Sequence, residues 1–338
     1  MTDIICNPSK TYFATPEFLK SSVHVITGIS LPIHFIGLYI VIFKTPKQMS
    51  SVKWYFVNLH SWIVLYDNSL GSLTLPYLLF PSISGYSLGF LAYLGFPYLF
   101  MVMLTLWACA NMLVSVLAIF ENQFHVICEF YWKKYWDRLR RLWLAAHYII
   151  IILIFIPFGF LIPEQNEARK RVFETLPCLP NYIQDAPIYV LTEDPTYHVI
   201  FLGSFLAIGC LEEIFFIVCL VWNAVKQSKS RRMSEQTYKL QRKFLLALSF
   251  QTGIPALLMV FPLSYKFYSV TQNYYNQAYM NSAMLIEMFH GLVSTLMMIF
   301  IHQPYREAFF KMFFRRTPKH SLHKNTRVVQ RVGSRPQS

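Results

Sequence analysis

Long apolar runs separated by short polar connections run through almost the whole chain. A helix rises about 1.5 Å per residue, so roughly 20 apolar residues cross the ~30 Å hydrocarbon layer of a bilayer. Five runs of that length separate cleanly, at 22–43, 142–162, 197–225, 244–265 and 280–302. The stretch between Lys53 and Lys133 contains no basic residue and is too long for one helix. Pro76, Pro81 and Gly85 interrupt it, which predicts a span at 54–79, a short apolar turn and another span at 95–120. The pattern predicts an all-α integral membrane protein, a bundle of seven transmembrane helices.

Charge sets the parity and the orientation. With seven spans, every lysine and arginine except Lys10, Lys20, Arg169, Lys170, Arg171 and Lys266 falls on one side. The positive-inside rule makes that side cytoplasmic, so the N-terminus is expected outside the cell and the basic tail inside. One span more would put the most basic loop and the tail on the wrong face, and no lysine or arginine is expected within a span. The third cytoplasmic loop, 226–243, reads as helical extensions of its two spans joined by a turn near 230–234. After the last span, Pro304 interrupts the helix, and Phe309, Phe310, Phe313 and Phe314 recur opposite Arg306 and Lys311. That pattern predicts a short amphipathic helix on the membrane surface over 303–316. Residues 1–21 are then an extracellular segment, and 317–338 a basic, disordered cytoplasmic tail.

Composition agrees with a lipid-solvated chain. Charged residues make up 14%, against about a quarter in soluble domains, and hydrophobic ones 55%. The net charge of +13 would suggest nucleic acid if it were spread over a surface. It is confined to a few connections, so the partner it implies is the lipid bilayer and not nucleic acid. The first twenty residues, with Asp3, Lys10, Glu17 and Lys20, lack the form of a cleavable signal, so the 22–43 segment is expected to act as signal and anchor together. Of six cysteines, only Cys6 and Cys178 face the oxidising exterior under this topology. A disulfide between them would pin the loop after the fourth span across the outer mouth; two free external thiols are the alternative.

Several ionisable groups fall inside spans, where each costs about 2.5–3.5 kcal/mol on insertion scales and calls for a partner. Asp67 lies midway along the second span, Glu212 and Glu213 in the fifth, and Glu287 and His290 in the seventh. Glu287 and His290 are three apart and share a helical face. Asp67, Glu287 and His290 are candidates for a ligand pocket or a switch, with helix-to-helix packing as the alternative role. Glu212 and Glu213 point roughly 100° apart, so at most one faces the bundle centre. His34 and His60 do not pair at metal-ligand spacing, and no zinc, nucleophile-elbow, phosphate-loop or dinucleotide motif is present. Neither an enzyme nor a cofactor is expected.

Short motifs narrow the reading further. Ser30-Leu-Pro-Ile-His34, Lys44-Thr-Pro-Lys-Gln-Met49, Asn58-Leu-His60, Gly85-Tyr-Ser-Leu-Gly89 and Phe120-Glu-Asn122 follow one another along the chain. Then come Pro177-Cys-Leu-Pro180, Ser234-x-x-Thr237-x-x-Leu240-Gln241-x-x-Phe244, His290-Gly-Leu-Val-Ser-Thr295 and Pro304-Tyr-Arg306. In this order, from about Cys6 to Arg306, they resemble the nematode serpentine chemoreceptors of class H, within the str-related superfamily. The resemblance implies a receptor for an unknown small molecule, displayed at the plasma membrane of sensory neurons, in their cilia, and signalling to a heterotrimeric G protein. It also implies a cytoplasmic face built from Glu121, Asn122, Gln123, Arg231, Arg232, Tyr305 and Arg306. Members of the class often continue Glu-Asn with arginine and an aromatic residue; here Gln123-Phe124 follows, so the usual ionic lock is not available from this motif. A ligand-gated or constitutive channel or transporter is the alternative class, although no filter loop or inverted repeat is evident.

Overall fold

The computed structural model describes residues 5–6, 11–176, 179–230 and 235–314. Seven long helices follow one another: α1 Pro16–Lys44, α2 Ser50–Asn68, α3 Tyr98–Ile127, α4 Lys133–Phe160, α5 Thr196–Ser230, α6 Glu235–Thr271 and α7 Gln277–Ile301. A shorter one, α8 Gln303–Phe313, follows. On α1 the buried residues Leu19, Val23, Ile26, Ser30, His34, Gly37 and Val41 recur every three or four positions. Val25, Ile29, Phe35 and Phe43 on the opposite face are exposed. Polar groups turned inward and large apolar ones turned outward reverse the pattern of a soluble protein, as a hydrocarbon solvent requires. The outward faces of α4 and α5 repeat it with Ile149, Ile152, Ile156, Leu211, Phe215 and Val218.

Six of these helices are long and apolar enough to cross a membrane; α2 is not among them. It carries Lys53, Asn58, His60, Ser61 and Asp67, and is held in the bundle by packing against α1 and α3. Around the bundle, α3 packs on α2, α4 and α5, while α7 packs on α1, α2 and α6. The contact of α5 with α6 closes the ring.

The largest departure from the sequence reading is at the end of α2. The expected span at 54–79 is helical only to Asn68, continues as one wide π-type turn over Ser69–Leu73, and then becomes strand β2, Pro76–Leu78. Pro76 cannot donate to the helix ladder and disfavours helical backbone at the residue before it, and Leu75 turns the chain with a left-handed φ of 38°. β2 pairs with β3, Ile83–Ser87, which pairs in turn with β4, Tyr189–Thr192, in a three-stranded antiparallel sheet. Gly89 packs against the backbone of Leu73 and Thr74, which a side chain would overlap. The apolar turn expected before the third span is therefore a roof over one end of the bundle.

The loop between α4 and α5 supplies β4 and a helix at Gln165–Thr175. Glu164 caps that helix, and amide hydrogen bonds from Glu167 and Asn166 hold its carboxyl below the usual carboxylate range. Gln165 bonds both the N–H and the C=O of Val190, each at 3.0 Å, and so fixes β4. At the same end, β1 (Ile5–Cys6) pairs in parallel with β5 (Tyr274–Tyr275), between α6 and α7. Tyr77 donates to Ala14 O, and Asn281 donates to Phe13 O at 2.9 Å. The N-terminal segment is thus tied across the roofed end.

At the other end, the helix expected at 303–316 runs over Gln303–Phe313, and residues from 315 lie outside those described. Tyr305 anchors it. The ring is fully buried against Phe56 and His302, and its hydroxyl lies 3.0 Å from Thr45 Oγ1. Tyr305→Ala is therefore expected to cost about 3–5 kcal/mol, as for other buried aromatic truncations. Tyr305→Phe, which loses only the hydrogen bond, costs ~1 kcal/mol. Melting of the purified protein should rank wild type, Phe, Ala in that order, and equal melting of the two variants would contradict the buried anchor.

Candidate functional site

Two buried polar clusters cross the bundle, and both involve α2 and α7. In the first, His34 on α1 points its Nε2 at Asp67 Oδ2 (3.0 Å) and its Nδ1 at Thr295 Oγ1 (2.8 Å). Thr295 also donates to Gly291 O at 2.9 Å, which ties this contact back to the α7 backbone. His34 and Asp67 are only 2% and 3% exposed, and their contact gives each buried polar side chain a partner. His60 Nε2 donates to His34 O at 2.9 Å and props the ring from α2. Gly291 makes the approach possible, since a Cβ there would overlap the Asp67 carboxylate. Asp67 Oδ1 and His290 Nδ1 have no hydrogen-bond partner among the described residues.

The second cluster centres on Glu287. Tyr66 of α2 donates to Glu287 Oε1, and Lys266 of α6 donates to Glu287 Oε2. One carboxylate thereby joins three helices. Lys266 is 14% exposed and Glu287 3%, so this is a buried ion pair with a hydrogen bond on the remaining oxygen. The expectation that no lysine enters a span is corrected here. The helix continues past 265 to Thr271, and Lys266 turns inward to meet the acid.

This second cluster borders a cavity of about 320 Å³ between the helices. Its roof is the sheet: Pro76 and Leu78 of β2, Ile83, Ser84 and Ser87 of β3, and Leu191 of β4. Its walls come from α2 to α7, with Phe158 from α4, and are rich in leucine, valine and methionine. An apolar lobe of about 140 Å³ adjoins it between α3, α4 and α5 and shares Leu106, Cys109, Leu202, Leu206 and Leu263 with it. The whole is an apolar cleft with a few polar groups, the usual form of a small-molecule site.

At the opposite end of α3, Glu121 is 3% exposed and doubly bound. Arg140 of α4 reaches its Oε2 at 2.7 Å, and Trp136 Nε1 donates to its Oε1 at 2.8 Å. The same guanidinium reaches Asn122 Oδ1 at 3.2 Å. Glu121 thus takes its counter-charge not from within the Glu121-Asn122-Gln123 motif but from Arg140 of the next helix. Gln123 itself is buried. Arg306 donates to Phe300 O at 2.9 Å and lies beside the anchored Tyr305. Arg231 and Arg232 lie outside the described residues, as do Cys178 and the side chain of Cys6.

Asp67, Glu287 and His290 do gather in one region, but not in the pairing that their spacing suggests. Glu287 and His290 share a face without bonding each other. Glu287 meets Lys266 and Tyr66, Asp67 meets His34, and His290 packs edge-on to Tyr66 at 6.4 Å between ring centroids. In the fifth span, Glu212 pairs with His147 of α4 at 2.8 Å. Sequence reasoning missed Tyr66, Lys266, Arg140 and Trp136. Among the described residues no group of three or more histidine, cysteine or acidic side chains is placed to hold a metal.

Comparison with known proteins agrees with this architecture. A family model described as serpentine type 7TM GPCR chemoreceptor Srh matches residues 14–315. Serpentine receptor class H-72 of Caenorhabditis elegans is 27% identical over 311 residues, covering 91% of this chain and 89% of that protein. The crystal structure of squid rhodopsin aligns with a TM-score of 0.57 over 93% of this chain and 91% of that one. At 12% identity, that likeness speaks for the seven-helix fold alone.

The buried ion pair makes a measurable prediction. Lys266→Met or Glu287→Gln leaves one buried charge without its counter-charge and is expected to cost about 3–5 kcal/mol, whereas the double variant buries neither charge and recovers much of the loss. Thermal denaturation of the three purified variants checks this, and additive losses would show that the two groups are not coupled.

Proposed function

From the premise that the chain belongs to the serpentine 7TM chemoreceptor family Srh, we propose that it receives a small organic molecule in the roofed cavity and signals to a heterotrimeric G protein at the opposite end. The observation that carries this reading is the Glu287 junction at the cavity wall, which ties α2, α6 and α7 together where a ligand would touch them. A ligand that favours one packing of these helices over another shifts a pre-existing equilibrium by its differential affinity. The roofed end faces outward, because the helix ends and connections at the other end hold Lys44, Lys47, Lys53, Lys133, Lys134, Arg138 and Arg141. The protein then sits in the plasma membrane, in the family's sensory cilium, with residues 1–21 outside and 317–338 in the cytoplasm.

The face offered to the G protein comprises Glu121, Asn122, Gln123, Arg231, Arg232, Tyr305 and Arg306, with Arg140 added as the counter-charge of Glu121. At the outer face, Cys6 and Cys178 form a disulfide. Their neighbours support it: Cys6 stands next to Tyr275 in register, and Tyr182, close after Cys178, acts electrostatically on the Tyr77 that donates to Ala14 O. Burial pushes the Tyr77 phenol well above its ordinary value, so its bond to Ala14 keeps its donor at any physiological pH.

Nucleotide exchange on a G-protein mixture, with receptor in bilayers, tests the reading. Wild type is expected to catalyse exchange, and Arg140→Met to raise its basal rate about five-fold or more, the effect of releasing ~1 kcal/mol of coupling. Gln123→Arg, which places an arginine next to Glu121 and Asn122, is expected to keep coupling. Silence of all three at normal surface density overturns the proposal. Peptide mapping under non-reducing conditions should recover Cys6 and Cys178 in one linked product, and two freely alkylated thiols would remove the disulfide from the account.

A further inference from the structure

The cavity carries a pattern of charge and hydrogen bonding that restricts what it can hold. Its two ionised groups, Lys266 and Glu287, already neutralise each other, and Tyr66 completes the acid's bonding. The remaining wall is apolar except at the roof end. There three side chains present buried polar atoms without partners among the described residues: Ser84 Oγ on β3, Tyr98 Oη at the start of α3, and both ring nitrogens of His198 at the start of α5. Ser84 is 1% and His198 5% exposed, so neither is served by bulk water. Their rings are held by packing: Tyr98 lies on Tyr189, and His198 is edge-on to Phe158 at 4.2 Å. Buried polar atoms of this kind are nearly always paired in folded proteins, and here all three residues line the same cavity.

We infer that the cavity takes a neutral, largely hydrophobic molecule with one hydrogen-bonding group, which engages Tyr98, His198 and Ser84 at the roof while its apolar body fills the lobe between α3, α4 and α5. This deepens the receptor reading and rests on the same cavity. A charged ligand would be desolvated in a wall that holds no free counter-charge. Asp194, which acts electrostatically on His198, is itself exposed and accepts the Thr196 amide. A neutral group loses little on entry and satisfies atoms that are otherwise left without partners. Size follows from volume: about 320 Å³ holds roughly ten water-sized groups at ~30 Å³ each. The adjoining lobe, lined by Leu113, Ile151, Phe155 and Phe205, extends the apolar end.

The test uses the purified full-length receptor in lipid discs, without a G protein, and three probes of matched chain: nonanol, nonanoate and nonylammonium. Affinity is read from saturable shifts in melting temperature. Nonanol is expected to bind at least ten-fold more tightly than either charged probe. His198→Phe and Tyr98→Phe should each weaken nonanol about ten-fold while leaving the unliganded melting temperature close to wild type. Leu113→Trp, which fills the lobe, should weaken nonanol while sparing butanol. Tighter binding of an ion, no binding of any probe, or indifference to both roof variants overturns the inference. Because binding is read without signalling, nonanol binding with no nucleotide exchange would count against the receptor role alone.

Discussion

A carboxylate sealed among apolar helices has to be answered by a partner from another helix, and this requirement organises the bundle. Backbone polar groups are satisfied within each helix, but side-chain charges are not. Apolar packing alone gives a membrane helix little reason to prefer a neighbour over lipid, because lipid tails are as apolar as leucine. The acids supply the preference. Asp67 joins α2 to α1 through His34, Glu287 joins α7 to α2 and α6, Glu121 joins α3 to α4, and Glu212 joins α5 to α4. Each link fixes which face of its helix turns inward, and each is costly to leave half-made.

These links are not independent, because several lie on one face of α7. Glu287, Gly291 and Thr295 are spaced four apart, so they stack along a single stripe about 12 Å long. The top of the stripe borders the cavity, and the lower part receives Asp67 and His34. The same helix ends at His302, which packs on Phe56 and Tyr305 at the far end. A rotation of α7 that accommodates a ligand at Glu287 must therefore disturb the His34–Asp67 pair, and it reaches the seat of α8. Coupling of this sort needs no long wire. It needs one rigid element with two sets of partners.

The seven-helix architecture was legible because hydropathy and the sidedness of basic residues are properties of whole segments. Where the reading departed from the structure, the information sat in single residues. Pro76 was recognised as an interruption, yet periodicity cannot distinguish a short buried strand from an apolar turn, so β2 and β3 went unseen. Asp67 and Glu287 were identified as needing partners, but nothing in their spacing names His34 or Lys266, which are distant in sequence. Lys266 reads from the sequence as a residue just beyond a span, since an apolar window ends where the charge begins and the helix does not. Arg140 was hidden in a different way. It stands in a basic run that served to orient the chain, and a residue counted for its sign is easily overlooked for its contact.

Arg140 changes how the cytoplasmic end can work on the proposed orientation. A lock between neighbours on one helix opens when a side chain swings. A lock between Glu121 of α3 and Arg140 of α4 opens only if the guanidinium swings away or the two helix ends part. The connection between them is stiffened by rings: Phe124 stacks on Phe130 at 4.8 Å, Phe130 contacts Trp132 at 4.4 Å, and Trp132 meets Trp136, whose indole also holds Glu121. The acid is therefore restrained by both the charge and the aromatic corner that leads to it. A partner that docks on this corner would act on the lock directly, whereas a ligand in the cavity reaches it through α3, which lines the cavity wall at Tyr98 to Cys109 and carries Glu121 below. With glutamine at position 123, the charge pair of Glu121 lies at the joint between two helices rather than within one.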